Sequence, residues 1–218
     1  SALNQALNIA ESLSSNENIS SEEWQSLFDQ PAYQALFSAS GLKPKQIQRR
    51  FEMAFLPGEK EHFANLGDYE KAQVHHLRSA YNSGWLTEYK KSIKDSNSLD
   101  KAFELAKSWV PGKFHDMPKP RLLFGLFGEN AHANATGVVL DAFLAFKHHR
   151  HQPHVLIAHE LHHYIRRSIQ LKKPLDLSDG LDRAIDHIQH EGIANLIDKR
   201  YLLEPGSPFD EGTRAMFK

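Results

Sequence analysis

The chain has 218 residues, enough for one domain with a sizeable core, and its hydrophobic (40%) and charged (24%) fractions are ordinary for a soluble globular protein. Lys and Arg number 26 against 27 Asp and Glu, so the basic excess that nucleic acid or an anionic membrane would select is missing. Cysteine is absent, which removes disulfides, cysteine nucleophiles and thiolate metal sites, and no apolar run reaches the roughly 18–20 residues of a membrane span.

The chain opens on Ser1 rather than Met, which fits a removed leader and an extracytoplasmic (periplasmic or secreted) setting. The first 110 or so residues read as helices. In SEEWQSLFDQ, Ser21 is the expected N-cap, followed by acids in the first turn. PKQIQRRFEMAF places Pro44 at its start and Ile47, Phe51 and Phe55 at steps of four. DYEKAQVHHLRSAYNSGW and LDKAFELAKSWV repeat that spacing, and Gly41, Pro57-Gly58, Gly84 and Pro111-Gly112 punctuate the helices. Beyond Pro111 the texture changes. RLLFGLF reads as a strand, GENAHANATG as a polar loop, and the start of VVLDAFLAF as a second strand because of Val138 and Val139. A helix is expected from about Pro153 to Gln170, with Ile157, Leu161, Tyr164 and Ile165 as its apolar side, and a last long helix from about Leu181 to Leu203. The fold class is thus α+β and mainly helical: a helical N-terminal region (1–112), then a region with a small sheet and two long helices (113–218), the two forming one compact unit.

Histidine is the outlier in composition, with 14 residues, many of them clustered between His148 and His163. Within the first long helix, His159-Glu160-Leu161-His162-His163 contains H-E-x-x-H. At about 100° per residue, two histidines four apart lie about 40° apart around the axis and one turn along it, so both imidazoles can reach one ion. The intervening glutamate points beside them, where it can take a proton from a metal-bound water. A catalytic zinc takes a third protein ligand. The extended pattern with Gly and His after the second histidine fails here, since Arg166 and Ile169 stand in those places. The candidates lie in DHIQHEGIANLID on the last helix. Glu191 is preferred, with the small Gly192 and Ala194 beside it allowing close approach to the metal helix. His187 and His190 are rivals, although His190 points about 100° away from Glu191. Asn195 and Asp198 share the side of Glu191 and could each orient a ligand imidazole. The plain alternative is a polar helix face in a histidine-rich chain, with Glu191 a solvated glutamate.

H-E-L-H-H followed by E-G-I-A-N-L-I-D resembles the gluzincin group of zinc metallopeptidases, and most of all uncharacterised bacterial families of zinc-dependent peptidases with an HExxH helix and a later E-G-[IL]-A helix. The resemblance covers roughly residues 120–203. It implies a zincin-like fold, one Zn2+ per chain held by His159, His163 and Glu191, Glu160 as general base, a peptide or protein substrate, and a sheet whose edge strand aligns it. For the oxyanion of the tetrahedral intermediate, Tyr201, Tyr164 and His162 are the candidates, with Tyr164 better suited to the core. KHHRHQPH (147–154) reads as a solvated loop and helix entry, or as a secondary metal site or pH-sensitive rim. Two other classes stay open: a zinc-binding, peptide-recognising module without turnover, and a histidine-rich metal-binding protein.

Overall fold

A computed structural model of the chain describes residues 1–82, 84–95, 97–128, 131–134, 137–149, 152–172 and 179–199. Its front half is helical: α1 (Ala2–Ser14), α2 (Ser21–Phe28), α3 (Pro31–Ser40), α4 (Pro44–Phe55), α5 (Lys60–Ala64), α6 (Asp68–Asn82), α7 (Trp85–Asp95) and α8 (Ser98–Lys107). Prolines at the first turn start α3 and α4, where a missing N–H costs nothing. Gly41 ends α3 in the left-handed region, at φ 74°. The N-cap of α2 is Ser20, not Ser21. Its hydroxyl accepts from Glu23 N–H while the Glu23 carboxylate accepts from Ser20 N–H, a reciprocal box that the neighbouring serine cannot complete.

The sheet has three strands, β1 (Arg121–Gly125), β2 (Ala131–Asn134) and β3 (Gly137–Asp141), in the order β1-β3-β2. β1 runs parallel to β3 with Arg121 opposite Gly137, and β2 runs antiparallel with His132 opposite Val139. β3 is central and buried along its whole length, as Val138 and Val139 suggest. β2 falls inside the stretch expected to be a polar loop. Ala-His-Ala-Asn has no strand-forming side chains of its own; it is held by the ladder to β3 and by Arg167 donating to the Ala133 carbonyl.

After β3 come α9 (Ala142–His149), α10 (Pro153–Lys172) and α11 (Gly180–Lys199). α10 carries the H-E-x-x-H residues and packs against α8, α11 and β2. Its expected apolar side is buried, with Ile157, Leu161 and Ile165 fully enclosed and the Tyr164 hydroxyl donating to Pro118 O at 3.3 Å. One continuous cluster of buried apolar side chains runs from Ala2 in α1 to Ile197 in α11. Among the described residues no helix is long and apolar enough to cross a membrane.

Candidate metal centre

α10 is enclosed on its polar side as well. His159 is 8% exposed, Glu160 5% and His163 8%. A solvated polar face would leave such groups in water, and burying three of them costs free energy unless they have a task or partners. Helical spacing brings the His159 and His163 rings edge to face, centroids 4.8 Å apart, with their Nε2 atoms 3.1 Å from each other. The nearer Glu160 oxygen is 3.8 Å from His159 Nε2.

α11 supplies the other wall. Glu191 reaches in from a half-exposed position and places Oε2 3.7 Å from His163 Nε2. Two turns on, the buried Asp198 sets Oδ1 3.0 Å from His159 Nδ1, an ion-pair distance at an angle poor for a hydrogen bond. At that distance the carboxylate favours a proton on Nδ1 electrostatically, and Nε2 of His159 faces His163. Asn195, the other residue expected to orient an imidazole, accepts from Lys199 instead. His187 is exposed on the outer side of α11. Tyr201 lies outside the described residues. So do residues 150 and 151 of the 148–154 histidine run and the side chains of His148 and His149, while His154 is half-buried at the start of α10.

Two details depart from the sequence expectation. Gly192 does not mediate the helix approach: a Cβ there would meet nothing within 4 Å. Ala194, fully buried, is the small residue at the contact. His190 does not point away from the site. It stacks on His163, centroids 4.3 Å apart and rings 10° from parallel. In this pose His190 braces the His163 ring, and with His163 and Glu191 it also forms a group that could hold an ion. His132 of β2 was hidden in the supposed loop, yet its charge acts on Glu160.

The electrostatics follow from enclosure. Burial holds the Glu160 carboxyl above the ordinary carboxylate value, with the His159 and His132 imidazoles pulling the other way. Burial likewise opposes a proton on His159, but Asp198 and Glu160 outweigh it and raise that imidazole's pKa. Burial, then the neighbouring His159 and His190, lowers His163 strongly. His162 is buried on another side of α10 and is pushed down to about 4, by burial first and then by Arg166 and His190. An unfolded chain holds a histidine at about 6.5. As pH falls the unfolded state thus takes up the His162 proton first. The stability linked to His162 is intact above about pH 6.5 and is lost progressively toward its folded value of about 4, at about 1.4 kcal/mol per pH unit. Urea unfolding of the metal-free chain at pH 7 and pH 5 should show the loss, and His162→Gln should flatten the slope by about one proton; an unchanged slope contradicts the assignment.

The donor set suits zinc. Two donors about 2.0–2.1 Å from a tetrahedral zinc lie about 3.3 Å apart, close to the 3.1 Å between the two Nε2 atoms. Imidazole nitrogen and carboxylate oxygen are ligands zinc takes readily. His159, Glu160 and His163 form one potential ligand group and His163, His190 and Glu191 an overlapping second. A mainly helical α+β chain that buries two histidines and a glutamate on one helix, beside an acidic residue of the next, has the make-up of a metal-binding protein. Residues 24–218 match the model of the family described as "Putative zinc dependent peptidase (DUF5700)", and the chain belongs to that family. No curated protein and no solved structure matches the chain.

Proposed function

We propose that the protein is a zinc-dependent peptidase of the gluzincin kind, with a zincin-like arrangement of α10, α11 and the sheet, in which His159, His163 and Glu191 hold the metal and Glu160 is the general base. The observation that carries this reading is the enclosed pair of Nε2 atoms 3.1 Å apart with a buried carboxylate beside them. Zinc, when bound, would supply Lewis-acid activation of a water and of the scissile carbonyl. Asp198 would fix the tautomer of His159 so that Nε2 presents its lone pair. Glu160 would take the proton of the attacking water and pass it to the leaving amine; a carboxyl held above its ordinary pKa suits both halves of that transfer. β2, the antiparallel edge strand beside α10, offers main-chain groups to an extended peptide, although Arg167 already donates to Ala133 O. A module that only bound zinc or a peptide would have no use for Glu160 at that place, and its enclosure without a task would be costly.

Elemental analysis of the purified chain tests the ligand set. About one zinc per chain is expected, lost in His163→Ala and Glu191→Ala and largely kept in His190→Phe, which retains a stacking ring. Several ions per chain indifferent to the first two changes would instead support a histidine-rich metal binder.

A further inference from the structure

The outer face of α11 carries large apolar side chains that the core does not use. Leu181, Ile185, Ile188 and Leu196 are from 43% to 68% exposed, and none of them belongs to the buried cluster or packs against it among the described residues. At about 100° per residue they fall, with Gly192, within about 80° of arc. That arc lies opposite the buried His190, Ala194 and Ile197. Steps of three and four along one face are those of a stripe that packs on another helix, and contiguous exposed apolar surface marks an interaction site. We infer that this stripe pairs with α11 of a second copy of the chain, antiparallel and about a two-fold axis level with His190. The inference does not rest on the peptidase reading.

The occupant is named by self-complementarity. In that register each residue meets the one equally far on the other side of position 190, so Ile188 meets Gly192 of the second copy. A Cβ at Gly192 would touch nothing within 4 Å. The glycine thus leaves a hollow in an apolar face, at a place where glycine by itself weakens the helix, and the two-fold fills both hollows with an isoleucine. Leu181 lies against the aliphatic stem of Lys199 of the second copy. The charges at the two ends match as well. α11 starts beside the exposed Asp179 and Asp182 and ends in the exposed Lys199, so an antiparallel copy sets each acidic start beside a basic end. Lys199 donates to the neutral amide of Asn195, which leaves its charge unmatched in that contact. Arg183 lies about 180° from the centre of the stripe and does not oppose the match. The two helix dipoles are also antiparallel. A two-fold repeats every one of these contacts, as a foreign helix would not. One helix per copy buries close to the roughly 1,000 Å² at which specific interfaces begin, so the pair should part on dilution.

Sedimentation equilibrium of the full chain from about 1 to about 300 μM should show a reversible monomer–dimer equilibrium, the same in zinc and in EDTA. Ile188→Asp should weaken pairing at least about tenfold and leave the far-UV spectrum of the monomer unchanged. Asp182→Lys and Lys199→Asp should each weaken it about three- to tenfold, since each breaks two symmetry-related pairs. Combining the two exchanges should restore pairing, which damage to the fold cannot do. The chain has no cysteine, so single spin labels report the register: along the helix axis, two labels should be about 3 Å apart at Gln189→Cys and about 18 Å apart at Ala184→Cys. A chain that stays monomeric throughout that range overturns the inference and leaves the face to another segment of the chain or to a foreign partner. A dimer indifferent to Ile188→Asp, or one with equal label separations at the two positions, overturns it as well.

Discussion

Replacing Glu160 by glutamine is expected to lower peptide hydrolysis by about 10²- to 10⁴-fold while leaving zinc content as it was. The side chain is buried and its nearer oxygen stands 3.8 Å from His159 Nε2; in the proposed mechanism it moves a proton, while His159, His163 and Glu191 hold the ion. Glutamine has the same shape and cannot accept the proton. The metal-free variant should be as stable as the parent or more so, because the change removes a carboxyl that burial disfavours in its charged form. Hydrolysis of a quenched fluorescent peptide library, zinc content and urea unfolding together separate a base from a structural residue. A structural residue would lose stability along with activity. Full hydrolysis by Glu160→Gln would sink the proposed mechanism.

α10 is legible in the sequence because its signals are local. The apolar period and the H-E-x-x-H spacing occupy consecutive turns, and helix geometry alone brings His159 and His163 together. What α11 contributes is less so. Angular bookkeeping on one helix puts His190 about 100° from Glu191 and so suggests that only one of them can belong to the site. A partner helix, however, is touched along a broad stripe. Glu191 reaches His163 from one flank of that stripe while His190 stacks on it from the other. Gly192, chosen for its size, faces open space, since small size alone does not say which side packs. β2 was hidden because four residues with two alanines carry no strand propensity, and with it went His132. These misses share a cause: each depends on a neighbour far along the chain.

A long-range tie centred on Asp141 gives the second large effect. Asp141 should be close to indispensable for folding, with Asp141→Asn costing about 3–5 kcal/mol and Asp141→Ala more. It ends β3, and its side chain is fully enclosed. One oxygen accepts from the N–H groups of Phe127 at 2.8 Å and Gly128 at 2.9 Å, pinning the turn after β1. The other accepts from Phe143 N–H and Leu144 N–H, both at 3.1 Å, capping the start of α9. It also accepts from His76 Nε2 of α6 at 2.8 Å. The same turn is gripped by the front helices, with the Tyr33 hydroxyl donating to Leu126 O at 2.6 Å and Arg50 to Phe127 O at 3.0 Å. One carboxylate therefore joins strand, turn, helix start and helical front half. Asparagine keeps the shape but turns an amide donor toward N–H donors, and alanine takes the acceptor from all of them, including the buried N–H groups of Phe127, Gly128 and Phe143 at about 1–3 kcal/mol each. Against a total stability of about 5–15 kcal/mol, alanine should leave little folded protein. His76→Ala removes only one donor and should cost about 1–2 kcal/mol. Urea denaturation of the series should rank the parent above His76→Ala, then Asp141→Asn, then Asp141→Ala. Zinc content per folded chain should hold in His76→Ala and Asp141→Asn, since the hydrogen bonds of Asp141 described above go to none of the proposed ligands. A loss below 1 kcal/mol for Asp141→Asn would mean that the turn and α9 are held by packing alone.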